Sequence, residues 1–327
     1  MKEYILVTGC NGFIGRAIVS RLLACSRTIL GISIEQDSSV KDAGFTYQQA
    51  DITNHEAVHE LFLKYNITAV VHLAAIAQIK EDNARTWEQY YKVNYLASCN
   101  LFEWAAKFGA KVIFSSTVDV YGQNDKAVLS EEDICMPISN YAKSKHMAEI
   151  ALTQIADTHS MDYVIFRFAP VYSEELMNNV YKRIYIKKYS LAYVIGKGGQ
   201  EFHFCSLNNA VNAVAVWLDM PQPVTGVVNI CDQNKIAASK IITNEKAMGR
   251  ARYVVHVPRA LLVIMHYIVR RALAFIRKLS FLHNIFRKLL KPSSYSNVKY
   301  ISTMGYSAWD MNNAMYFCKG GLINEKN

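Results

Sequence analysis

An apolar run at residues 4–8 breaks off at Gly9, Gly12 and Gly15 and hands over at once to a helical pattern at 13–26. Glycines in such a place permit a tight turn, close approach of the backbone to a pyrophosphate, and close packing of helix on strand. The helix N-terminus turns its positive end toward the phosphates. The rhythm then repeats. TILGISI, AVVHLAA, KVIFSS and YVIFRFAPVY read as buried strands, and HEAVHELFLKY, YYKVNYLASCNLFEWAAKFG and YAKSKHMAEIALTQIADTH carry apolar residues at the three and four spacing of helices.

Alternating units of this kind, joined by right-handed crossovers, predict an α/β fold. The expected class is a Rossmann-type doubly wound parallel sheet with ligands at the carboxyl ends of its strands, followed by a smaller, mostly helical C-terminal substrate domain. After Pro170 the rhythm loosens: a GKGGQ turn, a helical stretch NNAVNAVAVWLDM and a short strand GVVNICD suggest a chain that leaves the sheet, returns and leaves again. With 327 residues, 51% apolar and 19% charged, a sizeable core fits in one large unit or two interlocked ones. Seven scattered cysteines show no pair at metal-ligand spacing, so they read as reduced thiols and no metal site is expected. The opening MKEYILVTG lacks the features of a secretory signal, which implies a cytoplasmic protein.

The end of the second strand selects the nicotinamide cofactor, because a carboxylate there grips a ribose 2′-hydroxyl and repels a 2′-phosphate. That place falls at Ser33, which does not exclude the phosphate; Arg16 is close enough to pair with it, unless it is an ordinary solvated helix residue. Glu35 lies two residues on and serves NAD equally well. The cofactor is thus NAD or NADP(H), and these residues favour NADP(H). Residues 1–172, with a return at about 204–232, are expected to form the NAD(P)-binding domain, and 173–203 with 233–327 the substrate-binding domain.

In YAKSK, Tyr141 and Lys145 stand four apart at the start of a helix, on one face. A free tyrosine titrates near ~10, and lowering that by ~3 units takes about 4 kcal/mol of differential interaction with a nearby cation. FSSTVDVYG, at 114–122, reads on its own as a strand running into a polar turn.

Taken together, residues 8–15, Asp51 and Ile52 in ADIT, HLAA at 72–75, VNYLAS with Asn94, SSTVDVYG and YAKSK resemble the extended short-chain dehydrogenase/reductases. Within these the resemblance is to the NAD(P)-dependent sugar-nucleotide epimerase/dehydratase group, and it covers roughly residues 4–172. It implies a catalytic triad: Tyr141 exchanges a hydroxyl proton, Thr117 orients the oxygen, and Lys145 lowers the tyrosine pKa and holds the nicotinamide ribose. It also implies cofactor contacts from Gly9, Asn11, Gly12, Phe13, Ile14, Gly15, Arg16, Ser33, Leu73, Ala74 and Ala75, with Asp51 and Ile52 at the adenine. Asn94 matches a family asparagine and equally suits holding backbone. The 4,6-dehydratases carry adjacent Asp and Glu where this chain has Val118 and Asp119, which argues against water loss.

On the substrate side, Asn178 and Asn179 fall where an asparagine contacts the diphosphate, or caps a helix. Epimerases carry an Arg-Asp pair where this chain has Phe202 and His203, and Asn209, where many members have Asp, resembles the branch that builds bacterial surface polysaccharides. The resemblance therefore implies C4 epimerisation or 4-keto reduction of a UDP-linked hexose. A lipid-linked sugar, or a non-catalytic NAD(P)-binding sensor, is the alternative. A homodimer through the 90–102 stretch and the Tyr141 helix is implied as well.

The net charge of +9 is local: residues 259–291 hold eight Arg and Lys and no Asp or Glu. The apolar stretch 260–269 is far short of the ~20 residues of a span. It suits an interfacial helix on anionic lipid, or a domain helix with its basic face turned to an anionic substrate or to water. No motif of a nucleic-acid fold accompanies the charge, so no nucleic-acid partner is expected.

Overall fold

The computed structural model describes residues 2–77, 86–187, 191–272, 286, 289–290, 294–305 and 311. Its centre is a sheet of β1 (Glu3–Thr8), β2 (Ile29–Ser33), β3 (Phe45–Gln49), β4 (Asn66–His72), β5 (Lys111–Thr117), β6 (Tyr163–Phe168) and β7 (Gly226–Ile230). All pairings are parallel, in the order β3-β2-β1-β4-β5-β6-β7. The order reverses between β1 and β4, and a crevice opens at their carboxyl ends.

Side chains alternate along each strand, so the sheet feeds two cores. Ile5 and Val7 of β1 pack on one face with Ile18 and Val19 of α1 (Phe13–Ala24) and Trp217 of α5 (Leu207–Asp219). Leu6 packs on the other, with Leu61 of α2 (His55–Lys64), Leu101 and Phe102 of α3 (Ala97–Lys107), and Leu152 of α4 (Asn140–His159). β3 escaped sequence reading because FTYQQ is a half-buried edge strand without an apolar run. The helix read at 90–109 is interrupted: Trp87–Tyr90 is α-helical, Tyr91–Leu96 widens to a π-turn, and α3 follows. The wider turn holds Asn94 fully buried.

A chain of buried polar groups crosses this layer. Thr8 Oγ1 accepts from the backbone N–H of Leu73 and Ala74, each at 3.1 Å, and meets His72 Nδ1 at 2.7 Å. His72 Nε2 lies 2.8 Å from Ser98 Oγ, which donates to the Asn94 carbonyl at 2.8 Å. Asn94 donates to Ser144 Oγ at 3.1 Å and to the Ile76 carbonyl at 3.0 Å, and accepts from Ile76 N at 2.7 Å. Ser144 Oγ closes the chain on the Tyr141 carbonyl at 2.8 Å. Because Ser98 spends its proton on Asn94, His72 must carry its own on Nε2 and accept at Nδ1 from Thr8. Burial and the Lys145 charge both hold this imidazole neutral, well below its usual range.

Beyond the main sheet, Leu191–Ile195 pairs antiparallel with Tyr185–Lys187 and parallel with Tyr253–Val257. Val194, Phe202, Phe204 and Ile241 of α6 (Ala238–Ala247) form a separate core there. α7 (Arg259–Ala272) follows. Among the described residues no helix is long and apolar enough to cross a membrane.

His72→Leu removes the acceptor of Thr8 and the donor to Ser98 at nearly constant volume, leaving the buried Thr8 hydroxyl proton and a Ser98 Oγ acceptor site without a partner. The unfolding free energy in urea is expected to fall by about 3 kcal/mol; a loss below ~0.5 kcal/mol would refute the directional chain.

Candidate active site

A cleft of about 900 Å³ opens at the carboxyl ends of β1, β4, β5 and β6. Its near wall is the glycine turn with Leu73 and Ala77, its middle Thr117, Asp119 and Tyr141, and its far wall Pro170, Leu176, Asn179, Lys182 and Arg183. Gly9 has φ +67°, and a Cβ there would lie 2.9 Å from the Ala74 nitrogen. A Cβ on Gly15 would lie 2.2 Å from the Gly9 carbonyl oxygen. No side chain caps α1 and no acidic residue stands in its first turn, so its free N–H groups and positive dipole end face the cleft uncontested. That is the cradle a pyrophosphate needs, and Gly9, Gly12, Phe13, Ile14 and Gly15 line it.

The other residues expected at a cofactor differ in exposure and in their partners. Asn11 donates to the Asp37 carbonyl at 2.9 Å, tying the turn to the loop after β2. Ser33 donates to the Glu35 carboxylate, and that hydrogen bond first, then the backbone, holds Glu35 below the usual carboxylate range. Arg16 is exposed on α1. Asp51 is exposed and accepts from Thr53 N at 2.8 Å, while Ile52 is buried against the α2–α3 core. Ala74 and Ala75 are half-buried. Asn94 has every amide group engaged with protein.

Thr117 ends β5 and accepts from Asp119 N at 3.2 Å, capping the short turn Val118–Tyr121. Ser139 caps α4 by accepting from Ala142 N at 3.1 Å, and Tyr141 in the first turn reaches the cleft wall. Lys145, one turn on, is 1% exposed, with Nζ 4.0 Å from the centre of the Phe114 ring. Among the described residues none accepts a hydrogen bond from Nζ. Burial pulls Lys145 down to about 7 against the counter-pull of Glu149. Burial, then the Asp119 carboxylate, pushes Tyr141 up. Both shifts disfavour the phenolate–ammonium pair, so positive charge brought into the cleft is what tips Tyr141 toward a base.

A buried cluster fixes α4 from behind. Glu149 receives Arg167 Nε at 3.1 Å and Nη2 at 2.8 Å, Ser116 Oγ at 2.5 Å, and faces His146 Nδ1 at 3.3 Å. Burial works to raise Glu149, but His146 and Arg167 together hold it below its usual range. Cys135, His146 and Glu149 bring potential ligand atoms within 4.8 Å of one another, yet the Arg167 guanidinium bound to Glu149 opposes a metal cation.

On the far wall Asn179 lines the cleft and donates to the Val171 carbonyl at 2.8 Å, while Asn178 is exposed outside it. Sequence reading missed Lys182 and Arg183, whose only signal was a pair of cations one turn beyond the asparagines. Arg183 donates to the Asn179 carbonyl, and its guanidinium lies 5.2 Å from the Phe204 ring centre. It has no ion pair among the described residues, and burial lowers its pKa. Phe202 and His203 turn away from this role. Phe202 packs at 5.9 Å on Phe204. His203 Nε2 donates to the Asp232 carbonyl at 2.7 Å and its Nδ1 accepts from Tyr295 N at 3.2 Å. Asn209 donates to the buried Asp232 carboxylate at 2.8 Å.

A model of the NAD dependent epimerase/dehydratase family matches residues 5–231. The UDP-glucose 4-epimerase of Vibrio cholerae is 30% identical over 247 residues, 74% of each chain. The UDP-glucuronate 4-epimerase of Thermodesulfobacterium geofontis is 30% identical over 182 residues, 52% of this chain and 56% of that one. The chain thus spans about half the length of several curated relatives it matches. The structure of UDP-glucuronic acid 4-epimerase from Bacillus cereus in complex with NAD superposes with TM-score 0.70 over 95% of this chain and 96% of that one, at 20% identity, a likeness of fold alone.

Lys145 tests the electrostatics of the site. Its folded pKa lies below the unfolded value, so between about pH 7 and ~10.4 the unfolded chain binds more protons and stability rises with pH. Below that window the full cost of burying the charge is present. Lys145→Met in cofactor-free protein is expected to be more stable than the parent by about 2–4 kcal/mol at pH 6, with the gap closing toward pH 10. A gap independent of pH in urea titrations would refute the buried, charge-strained lysine.

Proposed function

Because the chain belongs to the NAD dependent epimerase/dehydratase family, we propose that it is a nucleotide-sugar C4 epimerase that carries NAD and acts on a UDP-linked hexose. The observation that carries this reading is Glu35. Its carboxylate, held ionised by Ser33 at the end of β2, favours a ribose 2′-hydroxyl and repels a 2′-phosphate. That turns the sequence-based preference from NADP(H) to NAD. An enzyme that keeps NAD is suited to oxidising and re-reducing the same carbon, whereas net reduction of a 4-keto sugar would draw on NADPH.

The residues divide the work. Thr117 holds the 4-oxygen of the sugar, and Tyr141 takes the hydroxyl proton and later returns it. The buried Lys145 ammonium stabilises the phenolate. A bound nicotinamide supplies reversible acceptance of the C4 hydride. Asn179, Lys182 and Arg183 face the diphosphate, with Arg183 providing the cation that the Phe202–His203 position lacks. Val118 is apolar where a dehydratase places an acid, which supports chemistry without loss of water.

We place the enzyme in the cytoplasm, in surface-polysaccharide synthesis, as a homodimer through the 90–102 stretch and α4, whose exposed Leu96 and Ile150 suit a subunit contact. A second reading, a lipid-linked sugar as substrate, is favoured by the basic tract at 259–291, which suits contact with the inner face of the membrane.

NMR of the purified protein with UDP-hexoses and UDP-N-acetylhexosamines is expected to show the C4 epimer without added nicotinamide. Product only from a 4-keto sugar with NADPH would establish the reductase instead, and turnover of lipid-linked sugars alone the second reading. Tyr141→Phe is expected to lose ~10³-fold in kcat. Arg183→Ala is expected to raise KM about tenfold with kcat nearly unchanged; an unchanged KM would remove Arg183 from the substrate wall.

A further inference from the structure

α7 is amphipathic, but the side it leaves in water is apolar. Leu262, 7% exposed, is the residue it buries, in a cluster with Ile195 and Phe286. Leu261, Ile264, Met265 and Ile268 are 48%, 57%, 41% and 59% exposed. Their i, i+3, i+4, i+7 spacing places them on one stripe of the helix, the pattern by which helices ordinarily face a core. At the margin of the stripe Arg271 donates to the Tyr267 hydroxyl at 3.0 Å, its guanidinium 5.4 Å from the ring centre. An aromatic ring with a polar tip beside a long cation suits a boundary between apolar and wet surroundings.

The described charges of α7 have one sign, Arg259, Arg270 and Arg271 with no Asp or Glu, within a sequence tract 259–291 that holds eight cations and no acid. A second cleft, of about 510 Å³, adjoins the start of α7 and is lined by Lys197, Lys235 and Arg259 beside the Gly196 turn. Glu201 also lines it and pairs with Lys235 at 3.0 Å, which leaves two cations in excess. A second copy of this chain is a poor occupant, because a two-fold contact would set this basic surface against itself. An anionic lipid surface answers both features, taking the apolar stripe at the acyl boundary and the cations at the phosphates.

We propose that α7 lies in the plane of an anionic membrane, with Leu261, Ile264, Met265 and Ile268 inserted below the headgroups and the Lys197–Lys235–Arg259 cleft beside a lipid phosphate. This goes beyond the epimerase reading and does not depend on it.

The test is co-sedimentation of the full chain with vesicles of phosphatidylcholine alone or with 30 mol% phosphatidylglycerol. The bound fraction is expected to rise at least ~10-fold with the anionic lipid and to fall sharply as salt is raised. Ile264→Glu with Ile268→Glu is expected to abolish binding at low salt while leaving the thermal midpoint unchanged, since both side chains already stand in water. Equal binding to both vesicles, or binding that survives the double substitution, overturns the proposal. So does failure of the parent to bind while the double variant alters its oligomeric state, which would assign the stripe to a second copy of the chain.

Discussion

Two backbone carbonyls and one side-chain amide set the direction of a buried hydrogen-bond chain: Ser144 donates to the Tyr141 carbonyl, Asn94 to Ser144 and Ser98 to the Asn94 carbonyl, so His72 donates to Ser98 and accepts from Thr8. Each hydroxyl donates once, and the imidazole has one tautomer open to it. In a low-dielectric interior such a chain is strong when complete and expensive when broken. It begins on the strand that ends in the glycine turn and finishes on the helix that presents Tyr141. The two halves of the cleft are thereby set against each other by buried groups that solvent does not compete for. The widened turn at Tyr91–Leu96 belongs to the same device, because it carries the asparagine that joins the sheet side of the chain to α4.

Three buried or half-buried cations are treated in two ways. Arg167 is answered by Glu149 with a forked pair, so its charge is settled inside the protein. Lys145 and Arg183 rest on the Phe114 and Phe204 rings and have no ion pair among the described residues. Arg183 lines the cleft, and Lys145 stands one turn behind Tyr141 on its wall. A fold optimised for stability alone would not leave two such charges unanswered; here they are free to be answered by an anion or a polarised reactant.

The β1–α1 turn was legible because three glycines, an apolar run and a helical pattern agree. Thr117, Tyr141 and Lys145 were legible as motif positions, and the structure brings Thr117 and Tyr141 to one wall. Other features left little trace. The edge strand Phe45–Gln49 is too polar to stand out, and one widened turn does not change apolar spacing enough to distinguish it from a continuous helix. The Glu149–Arg167 pair joins a helix to a strand 18 residues on, which no local pattern announces. The amphipathic character of α7 was readable; which face it turns to water was not, because that depends on Leu262 rather than Ile264 meeting Ile195.

Asn209 and Asp232 carry a different lesson. The Asp232 carboxylate receives Tyr172 Oη at 2.8 Å, the Ser206 N–H at 2.6 Å and the Asn209 amide at 2.8 Å. An aspartate at 209 would set two carboxylates on one buried site and force a proton onto one of them. Asparagine there is thus the complement of a charge 23 residues away. The charge held at one position therefore decides which polar group the other can carry: a second carboxylate at 209 is compatible with this buried site only where the one at 232 is lost or protonated.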